Sequence, residues 1–133
     1  MLTIRDAQLQ SLQRHREQDF VRSLAAYVRR HEPALVAQWP DALLERRVAH
    51  ARERAAAYGM TDPFALVEFF VAMAMHSPDF DKHPSVQAIL QDRGIAPDHR
   101  IHAVWVRTPP ETWARIREES SPTPWPCDEE TSR

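Results

Sequence analysis

A chain of 133 residues, 43% hydrophobic and 27% charged with a formal net charge of −2, can bury a core without disulfides or metal. It carries no global field that would draw it to nucleic acid or to an anionic membrane. Two glycines are too few for a phosphate-cradling loop, and one cysteine, Cys127, excludes an internal disulfide and fits a reducing cytoplasm. Charge is uneven: residues 1–60 hold ten Arg against seven acids, and residues 61–133 hold seven Lys or Arg against twelve acids. The opening stretch MLTIRDAQLQSLQRHREQDF lacks the apolar run of a signal peptide and any acylation motif, so a cytoplasmic protein is expected.

Three- and four-residue steps among Leu9, Leu12, Phe20, Leu24, Tyr27 and Val28 predict a helix over residues 4–32, stopped by Pro33. Arg14, Arg22 and Arg29 are directed away from that stripe. Arg16 lies beside it, either snorkelling or pairing with a carboxylate such as Asp19. Residues 33–39 predict two helical turns with Leu35, Val36 and Trp39 as one apolar patch. A second long helix is expected from Asp41 to Tyr58, its stripe formed by Leu44, Val48, Ala51, Ala55 and Tyr58, with Gly59 as the left-handed residue that ends it.

The most apolar stretch is TDPFALVEFFVAMAMHSPDFD, residues 61–81. Thr61 or Asp62 can cap a helix whose first turn holds Pro63, and Ser77-Pro78 ends it. A wheel at about 100° per residue puts Phe64, Leu66, Val67, Phe70, Val71, Met73, Ala74 and Met75 on one wide arc, leaving Ala65, Glu68, Ala72 and His76 as a narrow polar face. A membrane span needs about 20 apolar residues, and this run is interrupted by Glu68. Shorter helices are expected over 84–93 and 111–119, and one that Asp98 caps runs through Ile101, Val104 and Trp105. From Ser120 the sequence SSPTPWPCDEETSR has the composition of a disordered tail. With no strand-like alternation, the expected fold is all-α: a small irregular bundle of five to six helices around the 62–76 helix, in one domain over 1–119.

Candidate chemistry is sparse. Asp79, Asp81 and His83 would line one side of an extended loop and are a candidate divalent-metal set. The competing reading is a turn whose aspartates accept backbone N–H bonds while Phe80 plugs the core. His99 and His102 are three apart on a helix, but nothing local adds the further ligands a zinc site requires. Glu68 and His76 frame an acid–base pocket, or else they lie at a solvent edge or make a structural contact with an arginine. No nucleophile context is present, and no catalytic residue, cofactor or metal is assigned. Trp105 and Trp113, with Leu35, Val36 and Trp39, are the candidate partner-binding residues, because tryptophan anchors interfaces as well as cores.

The succession Ala56-Ala57-Tyr58-Gly59-Met60-Thr61, then Val67, Phe70 and Met73, then Pro78-Asp79-Phe80-Asp81 with Pro84, then Ile89-Leu90-Gln91-Asp92 and Arg100-Ile101 resembles a family of small helical proteins. These are encoded beside type VI secretion spike, PAAR and toxin-effector genes in proteobacteria. The resemblance covers residues 4–103 and stops before Thr108. It implies a non-enzymatic adaptor or co-chaperone whose partner is a secreted effector, its loader or a spike component. An immunity protein that neutralises a cognate toxin is the alternative. A metal-dependent enzyme using the Asp79, Asp81 and His83 loop is the third reading.

Overall fold

The computed structural model describes the backbone of residues 4–120 and 125–129, and the side chains of residues 14–119 with Trp125, Cys127 and Asp128. The fold is all-α. Helices α1 (Ile4–His31), α2 (Asp41–Ala57), α3 (Pro63–Met75), α4 (Pro84–Leu90), α5 (Pro97–Arg107), α6 (Pro110–Ser120) and the single turn α7 (Pro126–Glu129) follow one another, with a 3₁₀ turn at Phe80–Lys82. Among the described residues no helix is long and apolar enough to cross a membrane. The chain divides into two compact units, Met1–Glu45 and Arg46–Arg133, and the division falls within α2.

In the first unit, α1 buries Val21, Leu24, Ala25 and Val28, while Leu9 and Leu12 lie outside the described side chains. Arg16 is exposed, and the partner of Asp19 is Arg22, one turn on, at 4.0 Å. Arg29, expected to point away, turns onto the segment after the helix. It donates to the carbonyls of Val36 (3.3 Å) and Trp39 (2.6 Å) and pairs with Asp41 at 3.0 Å. Residues 33–38 are consecutive turns rather than helix, and Arg29 adds a donor to the Val36 carbonyl, which also accepts from the Trp39 N–H, and to the Trp39 carbonyl.

The second unit is built around α3. Asp62 caps it, accepting from the N–H groups of Phe64 and Ala65, and Pro63 occupies the first turn where no donor is needed. Its buried face is Ala65, Leu66, Phe69, Phe70, Ala72 and Met73. The sequence wheel placed Ala65 and Ala72 on the polar side and omitted Phe69; conversely, Phe64 and Met75 are 65% and 48% exposed. A helix apolar all round gives its hydrophobicity no phase, and small residues mark where a neighbour approaches closely.

The α2 stripe reads as expected, with Leu44, Val48, Ala51 and Ala55 buried. The helix ends in a Schellman motif. The N–H of Met60 reaches the Ala55 carbonyl (3.1 Å), that of Gly59 reaches Ala56 (2.9 Å), and Gly59 has φ +87°. α4 stops at Leu90, short of the expected 93, because Arg100 takes the Leu90 carbonyl and Asp92 accepts the N–H of Gly94. Asp98 does not cap its own helix. It lies in the first turn of α5 and accepts from the N–H groups of Thr61 (2.7 Å) and Asp62 (3.0 Å), tying α5 to the start of α3.

Composition predicts a disordered tail from Ser120. Instead α6 runs through Ser120, Trp125 is 6% exposed and α7 forms one turn. Residues 121–124 and 130–133 lie outside the described residues.

Candidate functional site

Three clusters in the second unit hold the polar chemistry. The first is at the C-terminal end of α3, where the His76 ring stacks on Trp113 at 4.0 Å and 16° and lies 5.5 Å from Trp105; the two indoles are 5.4 Å apart. Arg117 Nη1 sits 2.7 Å from His76 Nδ1. A guanidinium only donates, so Nδ1 is the acceptor and the proton resides on Nε2, which is buried without a hydrogen-bond partner among the described residues. Burial first, and then the Arg117 charge, push the imidazole down to about 4. Trp105 Nε1 donates at 3.4 Å to the Glu68 carbonyl, and the Glu68 carboxylate has a buried Oε2 with no hydrogen-bond partner among the described residues. Of the acid–base pocket, the solvent edge and the arginine contact, the structure supports the last for His76. Glu68 and His76 do not converge: both adjoin Trp105 instead.

The second cluster is the Asp79, Asp81 and His83 loop. Phe80 is fully buried, 4.9 Å from Phe69 and 6.0 Å from Trp113, as the plug reading expects. The Asp81 carboxylate takes a bond from its own backbone N–H, and side chains hold both aspartates. Arg54 of α2 bonds to Asp79 Oδ1 at 3.1 Å and to the Pro78 carbonyl at 2.7 Å. Its Nη2 also lies 2.9 Å from Asp81 Oδ1, off the hydrogen-bond direction. Tyr58 donates to Asp81 Oδ2 at 3.0 Å. Asp81 is 2% exposed, and burial raises its pKa against the pull of Arg54 and Tyr58. The Tyr58 phenol is pushed up to about 12, chiefly by burial and then by Asp81, so it stays protonated and holds the carboxylate. His83 is turned to other work: its Nδ1 caps α4 at the Ser85 N–H, 3.3 Å away. Among the described residues no three His, Cys, Asp or Glu side chains converge as a metal site. His99 and His102 are exposed on α5.

The third cluster had no counterpart in the sequence reading. Trp125 is buried beside Phe70 (5.8 Å) and His50 (6.5 Å, edge-on), with the Arg47 guanidinium 5.2 Å over its ring. Asp128 then pairs with Arg47 at 2.5 Å and Arg46 at 3.8 Å. Burial works to raise the Asp128 pKa, and the hydrogen bond and charge of Arg47 outweigh it, leaving the carboxyl below its ordinary range. The sequence signal was there in retrospect: one large aromatic followed three residues later by an acid, in an otherwise polar, proline-rich stretch.

The five candidate partner-binding residues do not form an open surface. Val36 is fully buried, Leu35 and Trp39 are half-buried, Trp113 is 6% exposed and Trp105 is half-buried against His76. Among the described residues, bulky apolar exposure falls instead on Phe64 (65%), Met75 (48%) and Val106 (69%). In the first unit an open groove of about 500 Å³ lies between α1 and the start of α2. Its acids are already engaged, Asp41 with Arg29 and Glu45 with Arg22 at 3.4 Å.

No protein-family model matches the chain, and comparison with curated proteins and with solved structures returns no match.

Proposed function

We propose that this chain is a non-enzymatic helical protein-interaction module, acting in the cytoplasm as an adaptor or co-chaperone for a type VI secretion effector or its loader. The observation that carries the binding role is the exposure of Phe64, Met75 and Val106 on α3 and α5. These helices pack on each other, and large apolar side chains left open to solvent on their surface mark a site available to a partner. The internal polar groups favour the same reading. Asp79 and Asp81 are engaged by Arg54 and Tyr58, and His83 caps a helix, so the residues of the candidate metal loop serve structure. The secretion setting rests on the sequence resemblance. Co-expression with the products of the adjacent genes, followed by affinity capture and gel filtration, tests the role. A stoichiometric complex with an effector, loader or spike component is expected, and a chain that elutes alone in every combination overturns it.

A further inference from the structure

The segment at 125–128 makes the contacts of a bound peptide. Its one helical turn, Pro126–Glu129, is far shorter than the roughly 12 residues an isolated helix needs. Its conformation is therefore imposed by what it sits on. The contacts include an aromatic anchor and an ion pair: Trp125 against Phe70, His50 and Arg47, and Asp128 between Arg47 and Arg46. Tryptophan and arginine are the residue types that concentrate energy at protein interfaces. The surface beneath also offers more than this occupant uses. Arg46 Nε and His50 Nε2 are buried without a hydrogen-bond partner among the described residues. Each such group costs free energy that a ligand with additional acceptors would recover.

We propose that Arg46, Arg47, His50 and Phe70 form a recognition slot for an acidic peptide segment bearing a tryptophan. The chain's own residues 125–128 are its resident occupant, displaced when a partner protein presents a segment of the same chemistry. Tethering makes the resident occupant effective at roughly millimolar concentration, so a competing segment must bind well to displace it. Local opening of a single turn is inexpensive compared with global unfolding. For its biological use the slot rests on the protein-binding role proposed above; its chemistry does not.

The test uses the full chain and a fluorescently labelled peptide of residues 122–130, with serine in place of the cysteine. In the wild-type chain the slot is filled, while the double variant Trp125→Ala, Asp128→Ala leaves it open. Fluorescence anisotropy should show the opened chain binding the peptide roughly tenfold or more tightly than wild type. Peptides carrying Trp125→Ala or Asp128→Ala should lose that gain, as should the opened chain carrying Arg47→Glu. An opened chain that keeps its helical circular dichroism yet binds no better than wild type overturns the proposal, as does equal binding of the tryptophan-free peptide. Should the double variant lose its helical signal, Asp128→Asn alone replaces it, and no gain in peptide binding by that variant overturns the proposal equally. A chain that captures no neighbouring gene product but passes the peptide test refutes the adaptor role alone. One that captures a neighbour but fails the peptide test refutes the slot alone.

Discussion

The His76 imidazole lies face to face with Trp113 while Arg117 donates to its Nδ1, and burial together with that positive charge takes its pKa from 6.5 to about 4. The folded value lies below the unfolded one, so between the two the unfolded chain binds more protons. The stability that His76 contributes is complete above about 6.5 and is lost as pH falls towards 4. Urea midpoints measured across that window should fall less steeply in His76→Phe than in wild type, and equal slopes would show that His76 does not titrate as described. Asp81 has the opposite sign. Its pKa is raised by burial and restrained by Arg54, so Arg54→Met should raise it further and cost about 3–5 kcal/mol at neutral pH by leaving a buried carboxylate without its cation. Stability in that variant is highest below the ordinary aspartate range and is lost as pH rises through the elevated pKa. Chemical denaturation at acid and neutral pH should therefore show the deficit shrinking on acidification. The role of Phe80 as a plug was legible in sequence because it follows from local pattern. The partner of Asp79 and Asp81 was not, since Arg54 stands 25 residues before Asp79 and on another helix.

At the level of elements, boundaries written in local chemistry were legible and orientations were not. Asp62, Pro63 and Gly59 specify cap, first turn and stop through backbone geometry, which needs no knowledge of neighbours. Arg29 and Asp98 carry the same residue types as an outward-facing arginine and an N-cap, yet each serves another segment's backbone, and only the tertiary fold decides that. The phase of α3 failed for a related reason: with apolar residues on every side, packing alone selects Phe69 over Phe64. Gly59 offers the sharpest test at this scale. Its φ of +87° lies in the left-handed region, and an added Cβ would meet Pro97 Cβ at 3.3 Å. Gly59→Ala should cost about 1–2 kcal/mol, read as a lower urea midpoint with unchanged slope. A neutral result would mean that the α2–α3 connection adapts without its Schellman turn.

Across the molecule, the all-α class was legible from periodicity and the absence of alternation, while the surface was not. The patches chosen from sequence, Leu35, Val36 and Trp39 with Trp105 and Trp113, are largely consumed in packing, because a tryptophan's size drives it inward as readily as it anchors a partner. The large apolar side chains most open to solvent among the described residues are Phe64, Met75 and Val106, and they offer a test that separates binding from folding. Each is about half exposed or more, so serine at all three should change stability by no more than about 0.5 kcal/mol per site. Loss of that much apolar area from an interface core should nevertheless weaken capture of the partner by at least tenfold, since about 1.4 kcal/mol suffices for each factor of ten. Thermal melting and affinity capture on the same preparations decide between outcomes. An unchanged melting temperature with lost capture assigns these residues to the interface, whereas full capture by the triple variant moves the interface away from α3 and α5 altogether.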